Sequence, residues 1–190
     1  MQRSHRRKRL RVIQGGLRRE ISFGRLKIVA CPQSSPPFAV QAVAVEEDTW
    51  LIISADPQIT YPEEHPVRLM TDLMNTEKEK VGSVRVKDGD PLRFLAIVHD
   101  VDSEPTWREE WVQSALVEVL REAEKCKLAA VALPLVGTRH GRLQPGRFAE
   151  LLAAALMGTE LLHLKRLWLV VPADQVLDVS KRLESLLTAS

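Results

Sequence analysis

Residues 128–156 decide the fold, and they read LAAVALPLVGTRHGRLQPGRFAELLAAAL. The run 128–136 is apolar and has the length of a buried β-strand. A loop with Gly137 and Gly141 follows, and an amphipathic pattern then extends from Pro145 to about residue 158. The stretch therefore predicts a strand, a glycine-containing loop and a helix in direct succession, which together make up most of a βαβ unit.

The same alternation continues on both sides of this stretch. Buried strands are predicted at 92–100, 128–136 and 164–172, and helices at 105–125, 145–158 and after Asp174. Asp102 or Ser103 is the expected cap of the first helix, and Asp174 is the expected cap of the last. Strands separated by helices of this length imply right-handed crossovers and a parallel sheet between helices. We therefore expect an α/β protein with a three-layer α/β/α sandwich.

The first half of the chain adds strands at the edge of this predicted sheet. Short β-like runs occur at 9–17, 24–32 and 82–90. Residues 38–57 hold two more apolar runs, and the letters EEDT at 46–49 between them predict a hairpin-type break. The second of these runs, 50–54, has the continuous apolar pattern of a strand covered on both faces.

The charge distribution predicts a basic flexible tail at residues 1–9, followed by a single domain at residues 10–190. The first 25 residues contain nine Lys or Arg and one acid, although the net charge of the chain is only +2. A run such as HRRKRLR (5–11) suits a nucleic acid or an acidic protein partner. The alternative is a disordered tail that only aids solubility.

Composition also limits the class of protein. No apolar run approaches the roughly 20 residues of a membrane span, and the amino terminus lacks the apolar segment of a secretory signal. We therefore expect a cytoplasmic protein with no membrane partner. The sequence has Cys31 and Cys126 but no CxxC motif, and no spacing of His, Asp or Glu fits a metal site. No metal and no cofactor is predicted.

The loop VGTRHG, residues 136–141, has two physical interpretations. Ligands of such sheets lie beyond the carboxyl ends of the strands, and glycines let successive amide N–H groups turn toward one anion. Arg139 and His140 would add positive charge. The alternative is a plain connection between a strand and a helix, with solvated basic side chains. Neither a Walker motif nor GxGxxG is present.

Residues 128–156 resemble the second phosphate loop of the macrodomain family, a strand followed by P-x-x-G-T-G-x-x-G and a helix. Three weaker likenesses are present. RVIQGGL (11–17) is similar to the family's first strand, and WLIISADPQI (50–59) is similar to its A-I-V-N-A-A-N-x-x-L segment. Ile97, Val98 and His99 stand where the family has V-I-H. The resemblance implies a macrodomain-like α/β/α sandwich with a mixed, largely parallel sheet, which binds ADP-ribose or a related nucleotide. It places the diphosphate on the amides of Gly137, Thr138, Arg139, His140 and Gly141, with Asp56 near the adenosine or ribose.

The sequence also departs from that family's pattern. N-A-A-N corresponds here to ISAD (53–56), and PEEHPVRLMT (62–71) stands where the family has a glycine-rich first loop. Prolines do not offer a flexible array of amides, and acids repel phosphate. The leading hypothesis is therefore a divergent macrodomain that binds ADP-ribose or a related nucleotide diphosphate without standard hydrolase activity and without catalytic residues. The alternatives are a non-catalytic interaction or scaffold domain with a degenerate pocket and a partner-binding tail, and an ADP-ribosyl hydrolase.

Two titratable residues each have a functional and a structural interpretation. Asp56 either acts as a general base or caps the turn before Pro57. His99 either transfers a proton or ends its strand as a histidine satisfied by the protein. The structural interpretation is favoured for His99, because His99 and Asp100 are expected to point to opposite faces of a strand.

Overall fold

The computed structural model of the chain describes residues 18–53 and 77–189. Within these ranges seven strands and three helices follow one another. The strands are β1 (Arg19–Phe23), β2 (Leu26–Cys31), β3 (Ala42–Asp48), β4 (Val84–Lys87), β5 (Leu92–His99), β6 (Ala130–Pro134) and β7 (Arg166–Val170). The helices are α1 (Glu109–Lys125), α2 (Pro145–Met157) and α3 (Val176–Thr188). The predicted tail, its boundary with the domain and the predicted strand 9–17 all lie outside the described residues.

The seven described strands form one mixed sheet in the order β1-β2-β7-β6-β3-β5-β4. The five inner strands run parallel to one another, while β1 and β4 are antiparallel to their neighbours at the two edges. The connections from β5 to β6 and from β6 to β7 each carry a helix, as crossovers between parallel strands of one sheet usually do. The prediction of a mixed, largely parallel sheet is confirmed.

All three described helices pack on one face of this sheet. Their buried side chains form a single apolar cluster with those of the strands, including Phe94, Ala96 and Val98 of β5. A second cluster, which includes Val29 and Trp168, lies on the opposite face, because side chains alternate along each strand. The central strands are therefore apolar on both faces, which is the pattern of a sheet buried between two layers.

Two helices begin later than their sequence patterns predict. α1 begins at Glu109 with Arg108 at its N-cap, and α3 begins at Val176 with Gln175 at its N-cap. Asp102 and Ser103 do not cap α1. A β-bridge between His99 and Trp107 precedes the helix, and the N–H of Asp102 and the hydroxyl of Ser103 donate to the carboxylate of Asp100 at the end of β5. α2 begins at Pro145, as predicted.

The prediction of a hairpin at residues 46–49 is wrong. β3 continues through Glu46, Glu47 and Asp48, and all three are buried. The apolar residues 50–53 do not form a strand; they turn, and Leu51 adopts a φ of 60°. Charged residues normally mark a turn because their burial is costly, but here hydrogen bonds compensate for that cost. Glu46 is bound by His99 and Gly137, which are distant in sequence, whereas Asp48 is bound by backbone N–H groups of the turn that follows it.

Three features bear on partners and cofactors. Across 18–53 and 77–189, no helix has both the length and the apolar character needed to cross a membrane. The same residues contain no group of three or more His, Cys, Asp or Glu that is placed to hold a metal ion. Cys31 is buried and Cys126 is exposed, and both are free thiols.

Candidate functional site

The carboxyl ends of β3, β5 and β6 meet at one edge of the sheet, which we call the strand-end rim (residues 46–53, 99–103 and 135–144). β3 lies between β5 and β6 and is parallel to both, so the segments that follow these strands are neighbours. Ligands of parallel sheets bind beyond the carboxyl ends of the strands. The strand-end rim is therefore the candidate functional site.

The loop between β6 and α2 is closed at its base. The carbonyl of Gly137 accepts the N–H of Leu143 at 3.0 Å. The N–H and the hydroxyl of Thr138 donate to the carbonyl of Leu135 at 3.1 and 2.6 Å. Gly137 has a φ of 82°, a conformation that glycine adopts at little steric cost. The base of the loop is thereby fixed, and residues 138–142 form its tip.

The tip of the loop presents unused backbone donors. The N–H groups of Arg139, His140, Gly141 and Arg142 donate no hydrogen bond to any other described residue. The side chains of Arg139, His140 and Arg142 are exposed. Free N–H groups ahead of a helix N-terminus attract anions, because the helix dipole adds to their partial charge. The tip therefore offers donors for an anionic ligand.

The two loop glycines are also required by packing. A Cβ atom on Gly137 would lie 2.8 Å from Cγ2 of Val112, and one on Gly141 would lie 2.6 Å from the carbonyl oxygen of Gly137 and 2.9 Å from Trp107. Both Cα atoms thus face the interior of the protein. The glycines allow the loop to lie tightly on α1 and on the segment before it.

A buried carboxylate from β3 holds the base of the loop. Oε2 of Glu46 accepts the N–H of Gly137 at 2.9 Å, and Oε1 lies 2.5 Å from Nε2 of His99. Since an ionised carboxylate only accepts hydrogen bonds, the imidazole N–H is the donor. The ring of His140 stands edge-on to that of His99, with 6.1 Å between the centroids. Glu46 therefore connects β3, β5 and the loop.

The next two acids on β3 shape the turn that follows the strand. Oδ1 of Asp48 accepts the N–H of Trp50 at 2.7 Å, and Oδ2 accepts those of Ile52 and Ile53 at 3.0 and 2.9 Å. Oε1 of Glu47 accepts the N–H of Ile53 at 2.8 Å. These carboxylates satisfy the backbone of a turn that the apolar residues 50–53 would not form unaided.

A salt-bridge cluster joins residues 77–80 to the same rim. Nζ of Lys78 lies 2.8 Å from Oδ1 of Asp100, 3.0 Å from Oδ2 of Asp102 and 5.9 Å from the ring centroid of Trp50. The N–H of Glu79 donates to the carbonyl of Thr49. Lys78 and Glu79 are therefore attached to the strand-end rim.

The hydrogen bond from Lys78 lowers the pKa of Asp100 from its ordinary value near 3.8 to about 2. A carboxylate with a depressed folded-state pKa stabilises the protein above its unfolded-state pKa, and this contribution is lost as the pH falls through the folded-state value. The cluster should therefore lose its stabilising effect between about pH 4 and pH 2.

Replacing Lys78 with methionine should raise the pKa of Asp100 toward 3.8 and flatten the dependence of stability on pH in that acidic range. The measurements are ¹³C NMR titration of the Asp100 carboxyl and urea unfolding at a series of pH values. Lys80→Met is the matched control, because Lys80 forms no ion pair with the described carboxylates. Equal Asp100 titration curves in the two variants would contradict the assignment of the shift to Lys78.

The structure brings five of the six predicted site residues together on one loop: Gly137, Thr138, Arg139, His140 and Gly141. Asp56 lies outside the described residues. Sequence reasoning did not identify Glu46, although a signal for it existed. Ala42, Ala44 and Glu46 alternate along β3, so a charged residue occupies the third position of a row that is otherwise in the core.

A separate cleft of about 460 Å³ lies between residues 80–84 and the outer face of α1. Lys80, Gln113, Ser114 and Arg121 are among its lining residues, and none of them belongs to the loop between β6 and α2. This cleft therefore does not coincide with the candidate site.

The element order, the mixed sheet and the rim define a macrodomain fold, and comparison with solved structures agrees. One variant of the Oceanobacillus iheyensis macrodomain has a TM-score of 0.69 and 11% identity, covering 94% of this chain and 99% of that one. The same macrodomain solved with ADP also has a TM-score of 0.69 and 11% identity, covering 91% and 98%. A further variant was solved with ADP-ribose (TM-score 0.68, 11% identity, 90% and 99% covered).

At these identities the likeness shows the fold. The chain has the macrodomain fold, an α/β/α sandwich whose middle layer is a mixed sheet. No protein-family model matches the sequence, and no curated protein matches it either. The expectation of a macrodomain-like sandwich is confirmed by the structure.

Proposed function

We propose that this chain binds ADP-ribose or a related nucleotide diphosphate at the strand-end rim. The observation that carries the proposal is the set of unused N–H groups at Arg139, His140, Gly141 and Arg142, held at the start of α2. A diphosphate supplies acceptor oxygens and negative charge, which such a loop favours. The similar macrodomain fold solved with ADP and with ADP-ribose supports this class of ligand.

The exposed basic side chains at the loop tip favour the same ligand. Arg139 and Arg142 flank the free amides and add positive charge that is not tied to a described carboxylate in a salt bridge. The acids of the rim, in contrast, are engaged by the protein: Glu46 by His99 and Gly137, and Asp100 by Lys78. The two arginines at the tip therefore stay available to an anionic ligand.

The hydrogen bonds that the protein makes to the rim acids also support a binding role without hydrolase activity. A general base must reach the proton that it abstracts, whereas Glu46 and Asp48 are buried and their oxygens accept hydrogen bonds from the protein. We therefore propose that ADP-ribosylated protein is bound and left intact. Release of ADP-ribose from such a substrate by wild-type protein would contradict this part of the proposal.

The decisive test compares His140→Pro with His140→Ala in calorimetric titrations with ADP-ribose. Both variants remove the imidazole, but only proline also removes the backbone N–H. His140 is not among the residues with positive φ, so proline is compatible with the sign of its backbone angle. We expect affinity to fall roughly tenfold to hundredfold more in the proline variant, which is the effect of losing a hydrogen bond to a charged group.

The controls separate binding from folding. The thermal midpoints of both variants should stay close to that of the wild type, because no described group depends on the His140 N–H. Equal affinities of the two variants would remove this amide from the site. Absence of heat with wild-type protein at millimolar ADP-ribose would contradict nucleotide binding altogether.

An interaction domain is a second candidate, and one observation favours it. Ile52 and Val101 are 52% and 51% exposed, and they lie on neighbouring segments of the rim. Contiguous exposed apolar surface marks sites that dock a partner, so this candidate requires the two side chains to belong to one patch. This candidate gains support if wild-type protein binds no nucleotide.

A further inference from the structure

Glu46 occupies a position where a charged side chain is costly. It lies on β3, the strand between β5 and β6, and shares a face with Ala42 and Ala44 of the apolar core. The residue is 8% exposed. An ionised carboxylate at such a place is tolerated only when hydrogen bonds replace its lost hydration.

Both carboxylate oxygens of Glu46 are used. One accepts from the imidazole of His99 and the other from the N–H of Gly137. Hydrogen bonds to an ionised acceptor are stronger than those between neutral groups, so this carboxylate fixes Gly137 more firmly than a backbone carbonyl would. The imidazole in turn fixes the carboxylate.

Gly137 controls the shape of the loop because hydrogen bonds fix both its N–H and its carbonyl group. Its N–H is bound by Glu46, and its carbonyl is bound by the N–H of Leu143. In sequence, the free amides of residues 139–142 lie between Gly137 and Leu143. Displacement of Gly137 would therefore change where those amides point, although Glu46 itself binds at the base of the loop and not at its tip.

We propose that Glu46 is the positioning residue of this loop and that His99 orients its carboxylate. The carboxylate acts as an internal anion that presets Gly137, so that the amides at the tip remain free for an external anion. The part of this inference that concerns affinity rests on the proposed function. The part that concerns loop geometry applies to the ligand-free protein.

The experiment measures amide hydrogen exchange in ligand-free protein and calorimetric affinity for ADP-ribose in the same set of variants. In Glu46→Ala, the amides of Gly137 and Leu143 should exchange about tenfold faster or more, and affinity should fall by a similar factor. Glu46→Gln should restore only part of the protection, since its neutral amide oxygen accepts from Gly137 more weakly than a carboxylate and its NH₂ donates to Nε2 of His99 only when the imidazole carries its proton on Nδ1. Asp100→Asn is the matched control, a carboxylate of the same rim without a described bond to the loop.

Each outcome of these measurements either supports or overturns the positioning role of Glu46. Unchanged exchange at Gly137 in Glu46→Ala overturns the inference, as does equal loss of protection in Asp100→Asn. If Glu46→Ala does not fold, Glu46→Asp replaces it, because the carboxylate is then withdrawn by one methylene; retained protection in that variant also overturns the inference. Faster exchange in protein that binds no ADP-ribose supports the positioning role and contradicts the proposed function alone.

Discussion

Replacing Gly137 with valine should destabilise the protein by about 3–5 kcal/mol. Two independent costs contribute. The φ of 82° is unfavourable for a β-branched residue, and a Cβ atom would lie 2.8 Å from Cγ2 of Val112, a fully buried side chain of α1. Urea unfolding monitored by circular dichroism measures the loss.

Gly146→Ala is the matched control for this prediction. A Cβ atom at Gly146 would meet no atom within 4 Å, and the residue lies in the first turn of α2. Alanine in a helix is favoured over glycine by up to about 1 kcal/mol, so this variant should be as stable as the wild type or slightly more stable. A Gly137→Val protein with wild-type stability would show that the loop is not packed on α1 as described.

This expected loss changes how the glycine can be used as a probe. Absence of ligand binding in Gly137→Val would report on the fold, because the Cα of Gly137 faces Val112. Removal of a single N–H at the exposed tip, as in His140→Pro, is the better test of ligand contact, because it leaves the packing of Gly137 intact.

Replacing Glu124 with alanine should destabilise the protein by about 2–3 kcal/mol. Its carboxylate accepts the N–H groups of Leu162, His163 and Leu164 at 2.8 to 3.0 Å, and Nδ1 of His163 lies 3.0 Å away. Burial acts to raise the pKa of Glu124, but these backbone donors outweigh it and the pKa is lowered. The stabilisation is therefore present at neutral pH and is lost as the carboxylate becomes protonated in acid.

Glu122→Ala controls for the loss of a glutamate from α1. Glu122 pairs with Lys125 one turn away, and exposed pairs of this kind contribute at most about 0.5 kcal/mol. Urea unfolding at neutral pH compares the two variants, and hydrogen exchange at residues 162–164 locates the effect. Equal losses of stability would show that the contacts of Glu124 with these amides are not worth more than a surface pair.

The sequence predicts those parts of the fold in which local pattern and tertiary environment agree. β5, β6 and β7 are short, largely apolar runs bounded by turn residues, and α1 and α2 carry wide apolar faces, so run length and helical periodicity are enough to predict these elements. β1, in contrast, is an edge strand in which only Ile21 is buried, and its letters REISF carry little β signal. Edge strands of this type are held by pairing with a neighbour, which a linear sequence does not display.

Only part of the candidate site is predictable from the sequence, because some of its contacts also depend on neighbours that a linear sequence does not display. The loop was identified because Gly137 and Gly141 are visible as turn residues after an apolar run. Glu46 was not, because a carboxylate in a β-like run normally indicates solvent or a turn. Its partners, His99 and Gly137, are distant in sequence and become neighbours only when β3 is placed between β5 and β6.

The attachment of the chain on either side of residues 54–76 has an evolutionary consequence. Ile53 is bound by Glu47 and Asp48, and Lys78 is bound by Asp100 and Asp102, so both described flanks are anchored to strand ends. Loss of one of these carboxylates would leave a polar group of a flank without its partner, which is costly. Substitutions at these four acids should therefore be rarer within the lineage than substitutions at acids exposed on the helices.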